Sequence, residues 1–324
     1  TRFMPIDKPE KSPYGYAEEQ IKMLNGIKLH EAGFKGKGMR VAVVDAGFMN
    51  VDRISVFDSL RLLGTHNVVF PGRSVFIGDD HGTKVLSCLA ADAPGLMVGT
   101  APQAEYWLIE SEDSRSEFPI EEDYWTAAME FADSVGMDVV SSSLGYFSFD
   151  VEALNYHQDQ LDGRTSLISR AAKMASSKGI LLFSSAGNEG GGSWGKITFP
   201  ADAPDILTVG AITDRKKKSN FSSVGFTADY RVKPDVVALG TGCCVIDPTG
   251  NIRYANGTSF ATPILAGLGV CLWQAFPSLT NKDIISLLQR FGSKFEQPDA
   301  ELGYGIPDVY KAYKQERKYA AESK

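Results

Sequence analysis

Met39-Arg40-Val41-Ala42-Val43-Val44-Asp45-Ala46-Gly47 is the stretch that decides the fold. Its apolar core, Val41 to Val44, is of strand length, rich in β-branched residues and does not alternate with polar ones. A strand with one wet face would alternate, so this one is read as buried on both faces, as in a parallel sheet between helical layers. Asp45 ends the run, and open α/β sheets place their sites at the carboxyl ends of such strands. Taken alone, Asp45 reads more readily as a helix-cap or turn aspartate.

Similar strand-length runs recur along the chain, at Ala104–Ile109, Asp138–Ser142, Ile180–Ser185, Ile206–Ile212 and Pro234–Leu239. Between them lie helical runs: Gln20–Ala32, His81–Ala91, Glu121–Val135, Ser166–Lys178, Thr258–Ala275, Asn281–Phe291 and Asp308–Arg317. This alternation predicts a three-layer α/β fold, a mostly parallel sheet with helices on both faces. With 324 residues, 43% of them hydrophobic, the chain can bury a large core, and neither a linker nor a repeat divides it. The expected organisation is a surface arm over residues 1–13, one domain over 14–313 and a charged tail over 314–324. A net charge of -7 without a basic stripe disfavours nucleic-acid binding. No apolar stretch of about 18 residues is read, so no membrane span is expected.

Three residues carry the chemistry. Asn256-Gly257-Thr258-Ser259-Phe260-Ala261-Thr262-Pro263 sets Ser259 behind a glycine at the start of a helix, with Pro263 in its first turn. A helix N-terminus offers free N–H groups, so a serine there can attack a carbonyl and the same N–H groups can hold the oxyanion. The plain alternative is a Ser/Thr-rich cap. Of the four histidines, His30, His66 and His157 have no chemical context. His81, in Asp79-Asp80-His81-Gly82-Thr83, opens a helical run and is the candidate base. Asp45 is the candidate orienting carboxylate, and the chain order Asp, His, Ser is one of the known triad orders.

With the flanking residues included, the chain resembles the subtilisin-like serine peptidases (subtilases). The matching pieces are Val41-Ala42-Val43-Val44-Asp45-Ala46-Gly47, His81-Gly82-Thr83-Lys84-Val85, Ser143-Leu144-Gly145, Ser185-Ala186-Gly187-Asn188-Glu189, Phe221-Ser222-Ser223-Val224-Gly225, Lys233-Pro234-Asp235-Val236 and Gly257 to Pro263. They stand in family order across roughly residues 13–310. The resemblance implies a subtilisin-like domain and a serine endopeptidase acting on proteins through an acyl-enzyme. Ser259 would be nucleophile, His81 general base and Asp45 its orienter. Asn188 would donate to the oxyanion; it also sits just past a strand-like run in a Gly-rich turn. Ser143, Leu144 and Gly145 would pair with an extended peptide. Ser185, Ala186 and Gly187 would wall the pocket for the residue before the scissile bond, with Glu189 at its mouth and Thr198 at its floor. The resemblance further implies secretion or a periplasmic location, and synthesis with a signal and a folding-assisting propeptide, the chain being the mature piece.

The chemistry requires no cofactor. Many subtilases hold calcium in the stretch after the His helix, but Ala91-Asp92-Ala93-Pro94-Gly95-Leu96-Met97 carries one carboxylate, and calcium takes six to eight oxygen ligands. Asp159-Gln160-Leu161-Asp162-Gly163 is a calcium candidate or a turn. The acidic segment Glu110–Asp123 is read as a solvated loop and helix N-terminus or, if it follows the cleft, as favouring basic peptides. Asp214–Lys218 reads as a solvated loop. Four cysteines form no metal signature. Cys243 and Cys244 are adjacent and poorly placed to pair with each other. Cys88 and Cys271 could bridge if their helices are neighbours, or stay buried thiols. A peptide ligase using the same acyl-enzyme and a non-catalytic peptide binder are the alternative functions.

Overall fold

The computed structural model describes residues 12–322. The expected surface arm over 1–13 lies almost wholly outside the described residues. Among the described residues eleven strands are formed: β1 Arg40–Asp45, β2 Arg61–Asn67, β3 Asp92–Ala93, β4 Met97–Val98, β5 Glu105–Glu110, β6 Val139–Ser142, β7 Leu181–Ser185, β8 Leu207–Ile212, β9 Val236–Leu239, β10 Cys243–Ile246 and β11 Ile252–Ala255. The α-helices are α1 Glu18–Lys22, α2 Gly26–Glu31, α3 His81–Ala90, α4 Ile120–Ser134, α5 Leu167–Ser177, α6 Thr258–Ala275, α7 Asn281–Arg290 and α8 Val309–Glu322. Seven strands make one sheet in the order β2-β5-β1-β6-β7-β8-β9, parallel at every pair.

The strand that opened the sequence reading lies inside this sheet, and its unbroken apolarity follows from two cores. Val41 and Val43 point into one, which also holds residues of α3, α6, α7 and α8. Ala42 and Val44 point into the other, built against α4 and α5. Helices therefore cover both faces, which makes the molecule α/β and three-layered.

The register positions the chemistry. Asp45 stands opposite Glu110, Val44 opposite Ser142, and Ser142 opposite Ser184. The segments leaving β5, β1, β6 and β7 thus emerge side by side along one edge of the sheet. Helix α6 runs beneath it, buried from Thr258 to Leu272.

Several expectations are corrected. Strand β2 was not anticipated: it is an edge strand, its apolar Leu62 and Leu63 are exposed, and no buried pattern marks it. The antiparallel hairpin β10–β11 was also unread. The helix expected over Gln20–Ala32 breaks in two at Asn25, whose φ of 56° is left-handed. Helix α8 runs past Arg317 to Glu322, so the charged segment is helical through that residue. Among the described residues one helix, α6, is long and apolar enough to cross a membrane, contrary to the sequence reading. Its apolarity has another cause, since 83% of it is buried inside the protein.

Candidate active site

Asp45 is wholly buried at the end of β1. Its Oδ1 accepts the Ala46 N–H at 2.9 Å and meets His81 Nδ1 at 2.6 Å. His81 is the first residue of α3, and its N–H donates to Asp79 Oδ1 at 2.7 Å. Gly82 permits this approach: a Cβ there would lie 2.4 Å from the Gly47 carbonyl oxygen. Burial works against a charged His81, but the charge of Asp45 and its hydrogen bond outweigh it and push the imidazole up to about 9. Asp45 Oδ2 has no hydrogen-bond partner among the described residues.

Ser259 is the second residue of α6, 7% exposed, and lines the same cleft as His81. In this structure its hydroxyl donates to the Ser143 carbonyl at 3.3 Å, while Ser143 Oγ donates to the Ser259 carbonyl at 2.8 Å. The nucleophile candidate is thus tied to the segment after β6. Its own N–H belongs to the first turn, where N–H groups lack intrahelical acceptors.

Asn188 follows β7. Its Oδ1 accepts from both the N–H and the hydroxyl of Thr258, at 2.9 and 3.0 Å. Two donors on one atom fix which end of the amide is oxygen, so the NH₂ group is left to donate into the cleft. Thr258 also receives the Gly187 N–H at 3.2 Å. The sequence reading missed this orienting threonine, whose only mark was its place beside Ser259.

The cleft encloses about 450 Å³. Ser143, Leu144, Gly145, Ser185, Gly187, Asn188, Glu189 and Thr198 all line it. Ala186 does not: it is fully buried, and its carbonyl takes the Thr198 N–H at 3.1 Å, so it fixes the wall from behind. Thr198 lies between the two segments. A Cβ on Gly145 would stand 2.2 Å from Thr198 Oγ1, and one on Gly187 would stand 2.9 Å from it. Glycine at both places leaves room for the threonine.

Glu112 and Glu117 also line the cleft, as do Asp79, Asp80, Lys84 and Phe147. The preferred reading of Glu110–Asp123 as solvated is therefore overturned for these two. Burial, reinforced by nearby Asp45, pushes the Glu112 carboxyl up to about 8. Elsewhere in the segment Glu121 accepts the Asp113 N–H, and Glu122 accepts the Tyr156 hydroxyl at 2.6 Å.

His30 and His66 are packed against other parts of the fold. Buried His30 bonds the Thr100 carbonyl through Nε2 at 2.8 Å, and desolvation holds it down to about 4. His66 stacks on Phe131 at 4.0 Å. Cys88, Cys243 and Cys271 are free, and all four cysteines are buried. The Asp162 carboxylate accepts from the Arg164 N–H, the Thr165 N–H and the Thr165 hydroxyl, as in a turn ahead of α5. No group of three or more His, Cys, Asp or Glu able to hold a metal ion occurs among the described residues.

Comparison with known proteins gives consistent results. The description of the Subtilase family matches residues 36–305. Subtilisin NAT of Bacillus subtilis subsp. natto is 31% identical over 281 residues, which cover 86% of this chain and 65% of that protein. Subtilisin of Bacillus pumilus is 30% identical over 86% of this chain and 90% of its own length. The chain thus spans about two thirds of the length of several curated relatives. Among solved structures, the MycP3 protease from the type VII (ESX-3) secretion system superposes with a TM-score of 0.71 at 19% identity, covering 97% of this chain and 91% of its own. The self-cleaved protease domain of PatA gives 0.69 at 23%, covering 88% and 98%.

Proposed function

We propose that this chain, which belongs to the Subtilase family, is a serine endopeptidase that hydrolyses protein substrates through an acyl-enzyme. The observation that carries the reading is the Asp45–His81 hydrogen bond at the rim of a cleft lined by Ser259 and by an oriented Asn188. In this mechanism the Ser259 hydroxyl leaves the Ser143 carbonyl for His81 Nε2. Its oxygen attacks the scissile carbonyl carbon as His81 takes its proton. Asp45 holds Nδ1 and steadies the imidazolium. The Asn188 NH₂ and the Ser259 N–H receive the developing oxyanion. His81 then passes its proton to the leaving amine. Water, deprotonated by His81, cleaves the resulting ester and restores the serine.

The substrate backbone lies along Ser143–Gly145 as an added strand, a mode that grips any extended peptide. Secretion or export to the periplasm, and release from the chain's own propeptide, belong to the same reading through the family. No metal or cofactor takes part in these steps, and calcium is not required.

The test is labelling with a fluorophosphonate probe and cleavage of an unfolded protein, both in EDTA. Labelling at Ser259 and proteolysis are expected, and Ser259→Ala should abolish both. A wild-type protein that is neither labelled nor proteolytic, with or without added calcium, refutes the proposal.

A further inference from the structure

Five carboxylates face the cleft against a single lysine. Lys84 is already bonded to Asp80 at 2.7 Å, and Asp79 holds the His81 N–H. Glu112, Glu117 and Glu189 remain, and none makes an ion pair among the described residues. The bonding recorded for the Glu112 carboxylate is a long contact from the Tyr146 hydroxyl at 3.4 Å. From this geometry we infer that the cleft selects peptides carrying lysine or arginine at positions flanking the scissile bond. The inference rests on the endopeptidase reading and names the substrate class for that site.

The placement of the three acids supports it. Glu112 and Glu117 come from the loop after β5, and Glu189 from the turn after β7. The Ser143–Gly145 segment leaves β6, which lies between them in the sheet. An extended peptide added along that segment sends successive side chains to opposite sides. Glu112 and Glu117 on one flank and Glu189 on the other thus border the path of such a peptide.

A separate feature points to a ligand that makes hydrogen bonds. Thr198 is 3% exposed, lines the cleft between Gly145 and Gly187, and its Oγ1 has no partner among the described residues. A buried hydroxyl left without a partner calls for a hydrogen-bonding group, which it can meet as acceptor or as donor. Lysine and arginine can supply one, with three donors on the ammonium and five on the guanidinium. The electrostatics agree. Burial pushes Glu117 up to about 7, with Asp150 adding repulsion, and Glu112 up to about 8. These desolvated carboxyls have no ion-pair partner, although His81 nearby favours a charged Glu112, and a bound cation relieves the desolvation.

The test uses matched fluorogenic peptides of one sequence, with lysine, norleucine or glutamate at each position around the scissile bond. The wild type is expected to cleave a lysine peptide with about tenfold higher kcat/KM than its norleucine twin at one or more positions, the effect of a single desolvated charge pair. Glutamate should be worst, and the lysine preference should shrink as salt rises. The combined Glu112→Gln and Glu117→Gln variant should lower the lysine-to-norleucine ratio at least threefold. That ratio is taken within one preparation, so loss of folded protein cannot move it. Equal cleavage of lysine and norleucine peptides by a wild type that the fluorophosphonate labels overturns this inference and leaves the endopeptidase reading standing. A ratio unmoved by the double variant overturns it as well. A wild type that is neither labelled nor active on any peptide overturns both.

Discussion

At the scale of single residues, the Asp45–His81 pair makes a quantitative statement about pH. His81 works as a base when neutral, and Asp45 holds the imidazole up to about 9 against the opposing effect of burial. kcat/KM should therefore rise with pH, by about tenfold per unit below the inflection, and the inflection should lie above the ordinary imidazole value of about 6.5. A profile flat between about pH 5 and 9 would contradict the base role. Asn188 makes a second prediction. Its amide is fixed by Thr258, so Asn188→Ala removes a donor aimed at charge that develops only in the transition state. Turnover should fall by roughly 10²–10³ with KM little changed, a magnitude known from subtilisin itself rather than from this chain. Steady-state kinetics on one peptide separates the two parameters. Asp45, His81, Ser259 and Asn188 could be named as candidates from the sequence because strand end, helix start and glycine-rich turn stand in the family's order with its flanking motifs. Thr258, Glu112 and Glu117 were not singled out as site residues, because what matters about them is which neighbours they face.

At the scale of elements, α6 shows how the sequence can be read correctly and yet incompletely. Gly267 and Gly269 lie inside it, where alanine would be a better helix former by about 1 kcal/mol. The packing reverses that sign. A Cβ on Gly267 would stand 2.0 Å from Thr100 Oγ1 and 3.0 Å from the Ala101 nitrogen, inside a buried core. Overpacking of this kind costs about 1–3 kcal/mol and exceeds the gain in propensity. Gly267→Ala should therefore lower the denaturant midpoint; an unchanged or higher midpoint would show that the neighbours yield. The unbroken apolarity of α6 likewise marks a helix buried in the sheet's own core. Of the strands that the sequence reading missed, β2 has the opposite character. β2 lies on the edge and exposes its leucines, and β10–β11 is a short hairpin off the main sheet. Pattern reading finds elements through burial: β2 carries little of that signal, whereas β10 is buried throughout and was missed all the same.

At the scale of the whole molecule, a buried ion pair fastens the far end of the sheet. Lys233 Nζ meets Asp235 Oδ2 at 2.6 Å and also donates to the Ile206 carbonyl and the Thr208 hydroxyl. Asp235 in turn accepts the Thr208 N–H of β8 and the Gln289 side chain of α7. Removing the lysine strands a carboxylate in the interior, which costs about 3–5 kcal/mol. Lys233→Met should lower the urea midpoint accordingly, far from the cleft; a loss below about 1 kcal/mol would mean that the hydrogen bonds to Asp235 suffice without the charge.

The sequence by itself determined the layered parallel architecture, because Val41 to Val44 can be buried on both faces only between two helical layers. It also singled out the candidate reacting groups, through their places at a strand end or helix start together with the family motifs around them. The tertiary structure alone decided which further groups share their space. It set Glu112 and Glu117 on the cleft rather than in solvent, placed Thr198 between two glycines and tied Ser259 to Ser143. The physical reason is that facing across a groove depends on sheet order and loop direction, which bring together residues more than a hundred positions apart and leave no periodic trace in the chain.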